Sequence, residues 1–272
     1  MNAYLRMFRM INAVMGVIGA LVASFIAAGT GMIDSWPSVI LMAVVVFLFV
    51  AGGNSVNDSI DYEIDKVSHP ERPVPKGEIT PRAARNVGYA LLATSFGVSI
   101  LTFDISAIVL VLIAVILMVA YETRLKQRGF VGNVTIAVLT GMVFLVGAAM
   151  VGPWTENIYI AVMAASVSVG REISKDIEDM EGDEGRLTLP MRIGAGKSAA
   201  VACVFYLVGV AMSILPLVWN MYSILYAIVV VADLFFIISA VSVFRDPHKA
   251  QKMAKLGMIF GLVAFILGAI QV

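Results

Sequence analysis

The sequence is poor in nearly everything from which a water-soluble enzyme is built. Charged residues fill only 14% of its 272 positions and hydrophobic ones 60%, against roughly 25% and about 45 to 50% in an ordinary soluble domain. A single cysteine, Cys203, excludes an intrachain disulfide. With only two histidines beside that thiol, a zinc site of the His/Cys kind is excluded too. Neither sign of charge is in excess, 19 basic residues standing against 19 acidic, so the chain as a whole is not drawn to nucleic acid or to acidic partners.

What the sequence has is apolar length. Mean hydropathy is +0.92, and a helix needs roughly 20 apolar residues to cross a hydrocarbon core. Breaking the chain at charges, Pro/Gly clusters and polar turns leaves nine such segments, near 10 to 30, 37 to 57, 84 to 102, 105 to 122, 131 to 152, 156 to 176, 198 to 216, 222 to 244 and 253 to 271. The first is uncharged from Met10 to Ile33, longer than a signal-peptide core, and is expected to be retained. The expectation is therefore an all-α polytopic membrane protein, one domain over residues 1–272, with nine transmembrane helices around a central cavity that opens to the cytoplasmic side.

Charge orients this bundle. With nine spans and the N-terminus cytoplasmic, all 19 Lys and Arg fall in the inner segments or at the adjoining helix ends. The other side receives Asp34, Asp104 and Glu156 together with Trp36, Trp154 and Trp219, the three tryptophans of the chain. Positive-inside bias and an aromatic belt agree, and the C-terminus is expected outside.

Two inner segments hold most of the acidic residues, each following an even-numbered span. The first reads Asn54-Ser55-Val56-Asn57-Asp58-Ser59-Ile60-Asp61-Tyr62-Glu63-Ile64-Asp65. Asn57, Asp61 and Asp65 stand at i, i+4 and i+8, one face of a helix. The second runs from Arg171 through Lys175, Asp176 and Asp179 to Asp183, and repeats the DxxxD spacing; both offsets, Asp61 to Asp179 and Asp65 to Asp183, are 118 residues. Each cluster ends a helix running in the same direction, so the two can face one cavity at one depth. A single run of this kind reads as solvated loop charge; seven Asp and Asn side chains at helical spacing in two matched clusters do not. Stacked carboxylates repel unless a cation lies between them. Oxygen-only donors suit Mg²⁺, which completes its shell with water and substrate phosphates, and a diphosphate bridging two such ions is the natural guest. Arg72, Lys76, Lys126, Arg128, Arg171 and Lys175 lie alongside, able to bind phosphate oxygens beyond the metals.

These motifs resemble the UbiA superfamily of intramembrane prenyltransferases over nearly the whole chain. Asn57-Asp58-Ser59-Ile60-Asp61-Tyr62-Glu63-Ile64-Asp65 matches its NDxxDxxxD motif, and Arg72-Pro73-Val74-Pro75-Lys76-Gly77 its RPxPxG segment. Tyr121 to Lys126, followed by Gly132-Asn133, is similar to its Tyr/Lys loop, and Lys175 to Asp183 resembles its second motif. Arg9-Met10-Ile11-Asn12 departs from the RPxN often found at the start by lacking the proline. Within the superfamily the wording is most like the archaeal enzymes that attach a second geranylgeranyl chain to geranylgeranylglyceryl phosphate in ether lipid synthesis. The resemblance implies transfer from geranylgeranyl diphosphate with Mg²⁺, in two ions. Asn57, Asp61 and Asp65 would hold one, Asp176, Asp179 and Asp183 the other, and Asp58 is a further metal candidate. Substrate-binding candidates are Arg9, Asn12, Asn54, Arg72, Tyr121, Lys126, Arg128, Arg171 and Lys175; of these Lys126, Arg128 and Arg72 would grip diphosphate, and Arg9, Arg171 and Lys175 the phosphate of the acceptor. The expected partners are the prenyl diphosphate, a lipid acceptor and the bilayer, with no nucleic acid and no obligatory protein.

Other readings fit parts of the pattern. An aromatic acceptor of the hydroxybenzoate or naphthoate type would use the same metal chemistry. A cation transporter would also have many helices and a buried acid, but transport sites lie near the midplane on broken helices, and only Asp233 stands at that depth. That carboxylate reads as a structural group hydrogen-bonded to a neighbouring helix, and His69 and His248 read as solvated. The DxxDGxxAR run of the CDP-alcohol phosphotransferases is absent.

Overall fold

A computed structural model describes residues 2–181 and 187–270, and no strand occurs among them. The helices in chain order are α1 (Ala3–Met7), α2 (Met10–Ala28), α3 (Trp36–Ile60), α4 (Tyr62–Ser68), α5 (Pro81–Ile100), α6 (Ile105–Thr123), α7 (Phe130–Ala149), α8 (Ile158–Glu178), α9 (Leu189–Ile193), α10 (Ala195–Val218), α11 (Val229–Ser242) and α12 (Pro247–Ala269). Their starts are written locally. Thr80 accepts from the Ala83 amide, Asp104 from that of Ala107 and Asp246 from that of Lys249; all three are helix N-caps, the first and last followed by proline, Pro81 and Pro247, in the first turn.

Seven helical stretches among the described residues are long and apolar enough to cross a membrane: those containing α2, α3, α6, α7, α10, α11 and α12. The chain is a multi-pass membrane protein. The remaining two long helices, α5 with 20 residues and α8 with 21, span a similar length but carry charge toward one end, Arg82 and Arg85 at the start of the first and Arg171, Glu172, Lys175, Asp176 and Glu178 in the last turns of the second.

Side-chain contacts show which helix ends lie together. Arg9 ahead of α2 meets Asp58 near the end of α3, Lys126 after α6 meets Asp61, Asn133 at the start of α7 meets Asp176 near the end of α8, and His248 at the start of α12 meets Glu178. At the opposite end Asn157 Nδ2 donates to the Ala23 carbonyl, the Ser223 backbone amide to that of Gly268, and the Tyr159 ring meets Trp219 edge-on. Long helices thus alternate in direction and one end gathers the charge.

Apolar side chains give helices no reason to prefer each other over lipid, so small residues and buried hydroxyls join them. Ser24 Oγ on α2 donates to the Gly147 carbonyl of α7 at 2.7 Å, and Ser95 Oγ on α5 to the Val45 carbonyl of α3 at 2.8 Å. Ser174 of α8 meets the Tyr206 hydroxyl of α10 at 3.1 Å. Asp233 follows the expectation for a structural acid: it is buried, and Ser213 Oγ on α10 lies 2.9 and 2.8 Å from its two oxygens. Both residues line an apolar cavity of about 130 Å³ between α7, α8, α10, α11 and α12.

A close helix crossing joins α3 to α5, the helix that follows the first acidic run. A Cβ on Gly88 would stand 2.8 Å from the Val56 amide nitrogen and 3.0 Å from the Gly52 carbonyl oxygen, so only glycine permits this approach. Overpacking of that kind typically costs about 1 to 3 kcal/mol. Gly88→Ala is expected to lower the detergent-solubilised protein's melting temperature by several degrees, which differential scanning fluorimetry measures; an unchanged melting point would show that the two helices separate freely.

Candidate active site

The polar end is assembled on α3 and its continuation. The helix breaks at Asp61, whose φ of −83° and ψ of 9° join α3 to α4. The hydrogen-bond ladder nevertheless continues across the break: the Asp61 amide donates to the Asn57 carbonyl at 2.9 Å and the Asp65 amide to that of Asp61 at 2.7 Å. The i, i+4, i+8 spacing therefore survives, and Asp61 and Asp65 are buried at 7% and 3% exposure. Asp58, on another side of α3, is deeper still at 1%.

Each of these carboxylates is met by a cation from elsewhere in the chain. Arg9 donates to Asp58 Oδ1 at 2.5 Å and to Asn57 Oδ1 at 3.1 Å. Arg72 donates to Asp65 Oδ2 at 2.6 Å and stands 3.8 Å from Asp58. Lys126 Nζ donates to Asp61 Oδ1 at 2.7 Å and to Glu122 Oε2 at 2.8 Å. An unpaired charge in such a place costs several kcal/mol, whereas a hydrogen-bonded pair is tolerated. Counted as ionised, three cations face four carboxylates, and the remaining negative charge favours a further cation.

The loops that deliver the two arginines are held by a small apolar cluster of Met7, Val74, Ile79 and Ala84, and by an ion pair between Arg6 and Glu78. Asn54 Nδ2 ties the chain ahead of α2 by donating to the Phe8 carbonyl at 3.0 Å. Arg9 itself is left-handed, at φ 50° and ψ 62°, a conformation that costs a non-glycine residue about 1 kcal/mol or more; its contacts with Asp58 and Asn57 hold it there.

The second cluster is joined to the first through the start of α7. A Cβ on Gly132 would meet the Leu125 carbonyl oxygen at 2.8 Å and Lys126 Cα at 3.0 Å, so a glycine here lets the Lys126 loop lie on α7. The next residue, Asn133, donates to Asp176 Oδ2 at 2.8 Å. Asp176 is half-buried, Asp179 is exposed at the end of α8, and Asp183 lies outside the described residues.

The remaining candidates sit around these groups. Tyr121 is half-buried one residue before Glu122, and Arg171 is half-buried beside Glu172, with which it forms an ion pair. Lys175 and Arg128 are exposed, and Asn12 is exposed one turn into α2. Glu122 emerges as a site residue to which the motifs gave no role, its only trace in the sequence being its position four residues before Lys126, and Asn133, quoted with Gly132 after the Tyr/Lys loop, emerges as the partner of Asp176. His248, expected to be solvated, is exposed but bonds Glu178 at 2.8 Å.

The donors are those a hard cation prefers, carboxylate and amide oxygens. Among the described residues no three acidic, His or Cys side chains already converge on one point, because Lys126 and Arg72 occupy oxygens of Asp61 and Asp65. The residues fit Mg²⁺ by chemistry, with exchange of these cations as the condition.

The UbiA prenyltransferase family matches this chain over residues 16–267. Digeranylgeranylglyceryl phosphate synthase of Pyrococcus furiosus is 39% identical over 264 residues, 94% of this chain and 92% of its own. The enzyme of that name from Methanosphaera stadtmanae is 34% identical over 280 residues, 99% and 100% of the two chains. A solved structure concerning digeranylgeranylglyceryl phosphate synthase in membranes superposes with a TM-score of 0.84 at 31% identity, covering 99% of this chain and 98% of the other. A UbiA homolog from Archaeoglobus fulgidus bound to GPP and Mg²⁺ shares the fold, with a TM-score of 0.72 at 17% identity over 98% of each chain. Motifs, helical architecture and a match over nearly the full length agree, and the chain belongs to the UbiA prenyltransferase family.

Proposed function

We propose that this chain transfers a geranylgeranyl group from geranylgeranyl diphosphate to the hydroxyl of geranylgeranylglyceryl phosphate, releasing diphosphate and forming an ether membrane lipid. One observation carries the reading: a chain 39% identical to digeranylgeranylglyceryl phosphate synthase nearly end to end gathers buried carboxylates and cations at one end of an apolar bundle.

The reaction breaks the bond between C1 and the diphosphate oxygen and joins C1 to the acceptor oxygen, whose proton is lost. Negative charge grows on the departing diphosphate, and fixed cations facing that charge supply the largest share of such catalysis. Lys126 and Arg72 are assigned to it, with exposed Arg128 at its edge. Asn57, Asp61 and Asp65 would hold one Mg²⁺ and Asp176, Asp179 and Asp183 a second, and the ions would supply Lewis-acid neutralisation of the same oxygens. Asp58 is assigned to holding Arg9 rather than metal, since its Oδ1 already receives that guanidinium at 2.5 Å. Arg9, Arg171 and Lys175 are assigned to the acceptor phosphate, and Asn54, Tyr121 and Asn12 to the rim. Apolar helix walls keep water from the allylic cation until the acceptor attacks.

The same reading makes α5 and α8 membrane spans, nine in all within one domain, around a cavity open to the cytoplasm. It puts the charged end, with the N-terminus, on the cytoplasmic side and the C-terminus outside. No protein partner is required.

Purified protein given Mg²⁺, geranylgeranyl diphosphate and geranylgeranylglyceryl phosphate is expected to yield the digeranylgeranyl lipid, followed by mass spectrometry, with none formed in EDTA and activity restored by added Mg²⁺. Prenylation of 4-hydroxybenzoate alone would overturn the acceptor assignment. Asp61→Ala is expected to lower kcat/KM at least about 100-fold, and Lys126→Gln to lower kcat by about 100-fold, the scale of removing one transition-state donor. A Lys126→Gln enzyme with wild-type kcat would remove Lys126 from the diphosphate.

A further inference from the structure

Glu122 belongs to none of the aspartate motifs, yet it is among the most buried acids at this end of the bundle, at 5% exposure. It stands one residue before the end of α6. Its Oε2 accepts from two donors of different origin: Asn57 Nδ2 on α3 at 3.1 Å and Lys126 Nζ at 2.8 Å. The Glu122–Lys126 pair is not an exposed helix pair, since both side chains are only 6% exposed and the chain leaves α6 at Thr123 before reaching Lys126 in a 3-10 turn.

Two consequences follow from these contacts. An amide offers electron pairs only at its oxygen and hydrogens only at its nitrogen. With Nδ2 donating to Glu122 and to Asp61 Oδ2, the latter at 2.9 Å, Asn57 must turn Oδ1 the other way, where it receives Arg9 at 3.1 Å. A second acceptor on the nitrogen side fixes which end of the amide a cation meets. Lys126, for its part, is shared between Asp61 and Glu122. Were Asp61 to turn to a metal ion, Glu122 would remain as the group that keeps the ammonium in place.

We propose that Glu122 is a positioning residue for the diphosphate half of the reaction: it sets the direction of the Asn57 amide and retains Lys126 while Asp61 exchanges its partner. This rests on the proposed function, because it takes Asn57, Asp61 and Lys126 as the groups that receive Mg²⁺ and diphosphate. Glu122 touches neither reacting carbon nor acceptor, so its effect is confined to the diphosphate substrate. A defect of packing would weaken both substrates together.

The test compares wild type with Glu122→Gln and Glu122→Asp. Binding of a non-reactive geranylgeranyl thiolodiphosphate is measured by calorimetry in Mg²⁺, and KM for donor and acceptor separately. A hydrogen bond to a charged group contributes about 1.5 to 3 kcal/mol, so Glu122→Gln is expected to bind the analogue at least about tenfold more weakly and to raise the donor KM similarly. The acceptor KM should stay at its wild-type value, and Glu122→Asp should recover part of the loss. Analogue affinity within twofold of wild type in Glu122→Gln would overturn the inference, as would a parallel rise in both KM values. If wild type itself fails to bind the analogue in Mg²⁺, the diphosphate site is wrongly placed; if it binds and Glu122→Gln binds equally well, only the role of Glu122 is wrong.

Discussion

Carboxylates sealed from water at the end of an apolar bundle can stay charged only if cations are brought to them. Asp58, Asp61, Asp65 and Glu122 are each at most 7% exposed, and Arg9, Arg72 and Lys126 are what the rest of the polar end exists to deliver. The short α1, the Met7, Val74, Ile79 and Ala84 cluster and the Arg6–Glu78 pair hold the two arginine-bearing segments. The close approach of the Lys126 loop to Gly132 places the lysine and leads on to Asn133 and Asp176. Removing one member leaves another buried charge without its partner, which is why these residues act as a unit.

The same constraint suits the chemistry. A diphosphate brings negative charge that competes for the three cations, and Mg²⁺ brings positive charge that competes for the carboxylates. Either alone would strip partners from buried groups, whereas together they replace each broken pair with an equivalent one. Below this end the helices are joined through glycine crossings and buried hydroxyls rather than charge, as at Gly52 and Gly88 or at Ser24 and Gly147. Asp233 is absorbed by Ser213 in the same way. The apolar interior thus stays inert toward a reactive allylic cation.

Much of this was legible in the sequence, for reasons that differ from residue to residue. Apolar segments bounded by charge mark helices, so the expected stretch near 105 to 122 is found as Ile105–Thr123 and that near 37 to 57 as Trp36–Ile60. The segment expected from 222 opens instead with a 3-10 turn, Ile224–Ile228, before α11. Asn57, Asp61 and Asp65 were readable because helical spacing is local, and it persists through the break at Asp61. The pairing of Arg9 with Asp58 and of Lys126 with Asp61 was not, because the partners lie 49 and 65 residues apart and no local period records who meets whom. The role of Glu122 was not legible for the same reason, since Asn57 lies 65 residues away. Asn12 shares a motif with Arg9 yet is exposed in the first turn of α2.

The most direct test of the account is the melting temperature of the purified protein with Mg²⁺ alone, with inorganic diphosphate alone, and with both. A ligand that binds only the folded state raises stability in proportion to the logarithm of its saturation, and reciprocal coupling makes each partner strengthen the other. Exchange of buried ion pairs predicts little shift from either ligand singly and a rise well beyond the sum of the two when both are present. A full shift from Mg²⁺ alone, or strictly additive shifts, would contradict it and show that the carboxylates and their cations do not exchange partners as a unit.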